Sequence, residues 1–232
     1  MAAGTYRIYL DGKWSLEDFS EMPRVFSQLY SFHYVFRDEK EVRDMEQLAR
    51  AFSSYPWQGG FSAVNFYRMA YGQVPSSLKP DVKSVRYESP GWLDVHLLLE
   101  AAIDVGKVVG TLATATLIAT EAYNKIYKGL QDRKLLRIQT DRKKLRLARE
   151  TLAFIETSSQ TISDIVGFDD RTKLEMLTGD PLTSLKILLS YYRRDRKLVE
   201  FEEGGKAHFP RGGPPRSPGR SPGTTSRMRG RG

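Results

Sequence analysis

Residues 89–157 constrain the fold more than any other part of the chain. They form one almost unpunctuated stretch with two chemically different halves. The first, 92–120, is apolar and rich in small residues; the second, 125–150, is strongly basic. Ser89-Pro90-Gly91 opens it, with Pro suited to a pre-helix position and Gly permitting a sharp change of direction. From Trp92 onward the pattern predicts a long central helix or a helical hairpin. The hairpin would turn near Gly129, since Gly inside a helix costs about 1 kcal/mol against Ala. The apolar half is too short to span a membrane. Only the 13 residues 108–120 are free of charge, where a span needs about 20. Extension meets Lys107, Asp104, Glu100 and Glu121, each costing about 2.5–3.5 kcal/mol near the bilayer centre. Gly106, Gly110, Ala113, Ala115 and Ala119 allow another helix to come close, from the protein's own core or from a second copy. Gly106 and Gly110 have the G-x-x-x-G spacing.

The basic half carries Arg142, Arg146 and Arg149 on one helical face at i, i+4 and i+7. Leu130, Ile138, Leu145, Leu152 and Ile155 recur at an interval that suits a coiled-coil or hairpin seam. Further along, Arg193, Arg194 and Arg196 give a second helix a basic outer face, with Lys186 and Lys197. These six arginines are the candidate polyanion-binding residues. Such a stripe neutralises phosphates in a salt-dependent, sequence-independent way; the plainer reading is a solvated face. The formal net charge of +8 and pI of 9.6 point the same way, to nucleic acid, an anionic membrane surface or an acidic protein.

The N-terminal part reads as a small mixed unit. Thr5 to Leu10 alternates, with Tyr6, Ile8 and Leu10 on one face of a strand. Ser15 to Asp18 has the pattern of a capping box, so a helix begins at Leu16. Pro23 predicts a break there and a second helix to Phe36, carrying Phe26, Leu29, Tyr30, His33 and Tyr34 as a core stripe. An amphipathic helix is expected at 39–53, and a short, largely buried helix at 61–71. A second strand at 81–87 has Val85 and Tyr87 on one face, and the two strands are expected to pair with each other.

Beyond 157, the polar run Ser158 to Thr161 predicts a break. A short helix then ends at Gly167, with another at 169–177. Asp180-Pro181 starts the last helix, 182–201, with Leu185, Leu188, Leu189, Tyr192 and Val199 inward. From Gly204 the composition becomes poor in apolar residues, and 212–232 is Gly, Pro, Ser and Arg, which cannot build a core. The expected divisions are 1–88, 89–157, 158–203 and a disordered tail, 204–232.

No catalytic constellation is present in the sequence. His33, His96 and His208 have no metal-ligand spacing, and the absence of cysteine removes thiolate ligands and disulfides. Each Gly-Lys pair lacks the upstream Gly of a phosphate-binding loop. Glu17-Asp18 and Asp169-Asp170 are adjacent acids, which do not face each other on a helix. No catalytic, cofactor or metal residues are therefore assigned, and no small-molecule ligand is expected. The N-terminus lacks a signal-like apolar run, so a cytoplasmic protein is expected.

The phrases YLDGKWSLEDF (9–19), YPWQGGFSAVNFY (55–67), VRYESPGWLD (85–94) and LKILLSYYRR (185–194) together resemble uncharacterised bacterial proteins. Those proteins have an N-terminal mixed domain, a Ser-Pro-Gly junction and a basic helical second half. The resemblance covers about residues 5–210 and implies no catalytic residues. The sequence thus predicts an α+β, predominantly helical chain: a small two-stranded N-terminal unit with helices, a long helix or hairpin, and a C-terminal helix. Its expected role is a non-enzymatic, self-associating interaction or scaffold protein. The alternatives are a nucleic-acid-binding protein and a peripheral membrane protein.

Overall fold

The computed structural model describes residues 3–37, 45–53, 61–135 and 149–212. The fold is α+β and predominantly helical. β1 (Ala3–Leu10) leads into α1 (Leu16–Arg37), α2 (Met45–Ser53) and α3 (Phe61–Gln73). A 3-10 turn at Ser76–Leu78 precedes β2 (Asp81–Arg86) and β3 (Gly91–Leu98). Then come α4 (Leu99–Thr114), α5 (Thr116–Asp132), α6 (Arg149–Val166), α7 (Arg171–Thr178), α8 (Pro181–Glu203) and β4 (Ala207–His208). The antiparallel sheet has four strands among the described residues, not two, in the order β2-β3-β1-β4.

The long helix expected from residue 89 is the main correction. Residues 91–98 are strand β3, at the centre of the sheet, pairing Leu98 with Ala3 through to Gly91 with Leu10. Leu93, Val95 and Leu97 are buried while Trp92 and His96 are half-buried, an alternation of period two that an apolar run conceals. The two expected strands, β1 and β2, do not pair with each other; β3 lies between them. Ser89-Pro90-Gly91 is the turn of the β2–β3 hairpin. A Cβ on Gly91 would collide with the carbonyl oxygens of Arg86 and Glu88, so the turn closes this tightly only with glycine.

Helices α4 and α5 meet at 90° around Ala115. The last turn of α5 ends at Arg133–Leu135 and α6 packs against α5; the link between them, 136–148, lies outside the described residues. Gly129 is not the turn. It lies where the helices cross, and a Cβ there would sit 2.6 Å from the Phe154 ring. Ile138 and Leu145 of the proposed seam lie outside the described residues. Leu130 and Ile155 are buried, whereas Leu152 is exposed.

Two other expected breaks do not occur. Helix α1 runs through Pro23; the lost hydrogen bond costs about 3 kcal/mol, and Met22, Val25, Phe26 and Leu29 are buried on both sides of it. Helix α6 runs through Ser158 and Ser159, which are themselves buried. Small hydroxyl residues let α6 lie close to its neighbours, and Thr161 returns its hydroxyl to the Thr157 carbonyl at 2.8 Å. The start signals are seen as expected. Ser15 Oγ accepts from the Asp18 amide at 3.1 Å and the Asp18 carboxylate from the Ser15 amide at 2.8 Å. Asp180 caps α8 by accepting from the Thr183 amide at 2.6 Å.

Helix α8 is the spine of the molecule. From Leu182 to Tyr192 it is buried on every face, packed among α1, α4, α6 and α7. Lys186, expected on an outer face, is buried, and burial brings its ammonium down to about 8. One core of buried residues runs from Tyr6 to Phe209 and crosses every expected division. Residues 204–212, expected to belong to a disordered tail, are instead part of the fold. They form a strap over α4, with Phe209 fully buried and β4 paired to β1. Tyr6 donates its hydroxyl to the Pro210 carbonyl at 2.7 Å. Lys206 reaches Asp18 at 2.8 Å and Arg211 reaches Glu202 at 2.9 Å. Residues 213–232 lie outside the described residues.

Asp195 of α8 is fully buried, and neither carboxylate oxygen has a hydrogen-bond partner among the described residues. Burial, with the nearby Glu202 charge adding to it, raises this carboxyl well above its usual range. Its unfolded value is about 3.9, so above that pH the native state holds one proton more than the unfolded chain. Stability must then fall as pH rises through this window, by up to about 1.4 kcal/mol per pH unit. His33 acts oppositely, because burial lowers it to about 4, adding stability as pH rises toward its unfolded value of about 6.5. Denaturant melts at pH 5 and pH 8 separate the two. Asp195→Asn should lose less stability, or gain more, between pH 5 and 8 than the parent does. Identical pH dependences would refute the assignment.

Candidate interaction surface

β2 is an edge strand. Its only hydrogen-bonded neighbour among the described residues is β3, and all six of its residues are exposed. Asp81 stands opposite His96, Val82 opposite Val95, Ser84 opposite Asp94, Val85 opposite Leu93 and Arg86 opposite Trp92. A β-bulge at Lys83 shifts the register. Val82 and Val85 therefore share the face of Val95 and Leu93, the face covered by helices. The helical layer stops short of β2, leaving Val82 and Val85 each 56% exposed. The following Tyr87 is equally exposed, although its ring meets Phe19 of α1 edge-on at 5.6 Å and its hydroxyl accepts from the Trp14 amide at 3.1 Å.

The opposite face of the sheet is open. Arg7 grips Asp94 with two bonds of 2.6 and 2.8 Å, and Ser84 adds a third at 2.9 Å. These donors, Arg7 first, hold the Asp94 carboxyl below the usual carboxylate range. Arg7 and Arg86 both lie over the Trp92 ring, at 4.8 and 5.0 Å from its centroid. This cluster fixes β2 against β3, so the exposed edge is rigidly presented.

A polar cleft of about 400 Å³ lies at the far end of α1, lined among others by His33, Arg37, Asp104, Lys107 and Asp170. His33 Nε2 is 2.7 Å from the Tyr191 hydroxyl, and its lowered value leaves the ring uncharged at neutral pH. Arg37 is engaged by Asp104 at 2.6 Å and Glu100 at 3.0 Å. Lys107 lies 3.4 Å from Asp104. The cleft's cations are thus neutralised by its own carboxylates. Among the described residues no three His, Asp or Glu side chains could hold a metal ion.

The six candidate arginines are not gathered into one patch. Arg142 and Arg146 lie outside the described residues, and Arg149 is exposed at the start of α6. Arg193 bonds the Tyr123 hydroxyl of α5 at 3.1 Å. Arg194 turns the other way, to Gln28 of α1 at 2.8 Å, to Ser190, and over the Tyr67 ring at 3.8 Å. Arg196 pairs with Glu203 at 2.7 Å. The three α8 arginines thus fan out around the helix and bond to protein groups. No protein-family model, curated protein or solved structure matches the chain. No single helix among the described residues is long and apolar enough to cross a membrane. The β2 edge is hidden in the sequence as long as residues 92–98 are taken for helix. Its signal lies in the Arg7–Asp94 and Val82–Val95 partners, which alternate in sequence but become neighbours only once β3 is a strand.

Proposed function

We propose that the chain is a self-associating interaction protein without an enzymatic role of its own. The observation that supports this reading is the β2 edge, whose backbone groups have no strand partner on one side among the described residues and whose two valines, Val82 and Val85, lie beyond the helical layer. An edge with exposed apolar residues is a template for strand addition. Isolated exposed apolar residues are ordinary; two on one face of an edge strand, with Tyr87 just beyond its end, are a surface. Light scattering of the full chain over a concentration series tests this. The mass should rise from 26.4 kDa toward twice that value, and a constant monomer mass at the highest concentration would end the proposal.

Binding of nucleic acid through the basic helices has weaker support, because Arg193, Arg194 and Arg196 point apart. If polyanions bind at all, affinity should fall steeply with salt. Replacing Arg194 should then chiefly cost stability, because its guanidinium lies over Tyr67 and bonds Gln28.

A further inference from the structure

We infer that two copies join through β2 in one antiparallel register, in which residue numbers across the interface sum to 167. The inference rests on the self-association reading and adds the surface and the geometry. An isologous contact about a two-fold axis perpendicular to the sheet requires the strand's pattern of faces to read the same in both directions. In a regular six-residue strand the end-to-end register fails, because its first and last residues point to opposite faces, and only registers offset by an odd number of residues from it are open. The bulge at Lys83 repairs this. Asp81 and Arg86 both take the open face, and Val82 and Val85 both take the helix-covered face. Lys83 and Ser84 lie at the centre, where each copy contributes the same two residues. A bulge that hinders pairing with an ordinary strand therefore matches a second copy of itself.

The side chains agree with this register. Asp81 would meet the partner copy's arginine at position 86, and Val82 the valine at 85. Lys79 would meet the glutamate at 88. Every charged pair is of opposite sign, and the four valines form one apolar strip. Sliding the pairing by two residues one way sets Lys83 against the arginine at 86. Sliding it the other way sets Lys79 against that arginine. Both shifts oppose like charges directly across the strands, which is unfavourable. Within one copy Lys79 lies over the Tyr71 ring and Arg86 over the Trp92 ring, each at 5.0 Å, and the ion pairs are exposed, Lys83 to Asp81 at 2.6 Å and Arg86 to Glu88 at 2.8 Å. Such ion pairs hold little energy and are readily exchanged. One closed register also limits the edge to a dimer, with the two sheets continuous across the axis.

The absence of cysteine makes the register directly readable. V82C and V85C chains, each at an exposed position, are prepared separately, then mixed at dilution, concentrated and mildly oxidised. Directly opposed residues lie about 4.5–5.5 Å apart, within reach of a disulfide. Two copies of position 82 are offset by three residues, about 10 Å, and are not. The mixture should yield covalent dimers and either chain alone should not. A charge swap gives a second reading. D81R or R86D alone should weaken dimerisation at least about tenfold, since each acts twice across the axis. The combined D81R/R86D chain should recover to within about threefold of the parent. Dimers by light scattering without crosslinking in the mixture, or without recovery in the combined chain, would overturn this register and leave self-association standing. A strict monomer would overturn both.

Discussion

Phe32→Ala should destabilise the protein by about 3–5 kcal/mol, lowering the melting temperature by roughly 10 °C for a chain of this size. Phe32 has no exposed surface. Its ring centroid lies 4.9 Å from Phe36, 6.4 Å from Phe52, 6.3 Å from Phe66 and 6.4 Å from Tyr67. Phe168 at 5.3 Å and Tyr191 at 5.0 Å complete the cage. One ring thus ties α1 to α2, α3, α8 and the loop before α7. Truncating it leaves a cavity among rigid aromatic walls that cannot collapse together without moving several elements. Leu16→Ala is the control. Leu16 is 90% exposed, so its loss should stay within about 0.5 kcal/mol. Thermal melts of the two variants check the contrast, and equal shifts would show that the aromatic cluster is not the centre of the core.

Gly106→Val should cost about 3 kcal/mol or more, by releasing the strap. A Cβ at Gly106 would collide with the Pro210 carbonyl oxygen and lie 2.8 Å from the Tyr6 hydroxyl. The same two groups form the hydrogen bond that anchors the strap to β1. Overpacking of this kind costs about 1–3 kcal/mol by itself. Displacing the strap would also return Phe209 to water, a further loss of about 2–3 kcal/mol. The expected result is a lowered melting temperature together with new protease cleavage at 204–212. A destabilised chain that still protects those residues would contradict the mechanism. The small-residue spacing of Gly106 and Gly110 is therefore explained without a second helix, since Arg211 lies over Gly110 as Pro210 lies over Gly106.

Local signals in the sequence were reliable where the physics is local. The reciprocal bonds of Ser15 and Asp18, the Asp180 cap, and the left-handed Gly167 at φ 61° depend on a few adjacent residues. The period-two face of β1 was equally plain. What failed depended on partners distant in sequence. Residues 92–98 are apolar enough to be helix or central strand, and only pairing with β1 decides between them. Pro23 and the Ser158-Ser159 pair looked like breaks because local costs were not weighed against burial supplied by α8 and its neighbours. The arginines of α8 looked like one basic face because charge in a sequence carries no record of which side chain each guanidinium meets. The candidate interaction surface was invisible for the same reason: an edge exists only when the strand order is known.

The most direct measurement is amide hydrogen exchange of residues 81–86 in the full chain at low and high concentration. Pairing through β2 predicts that the β2 amides pointing away from β3 exchange quickly when dilute and become protected as concentration rises, while those bonded to β3, and those of β1 and β3, stay protected throughout. Exchange in β2 that is independent of concentration, in a chain whose mass nonetheless doubles, would place the contact elsewhere and contradict the account.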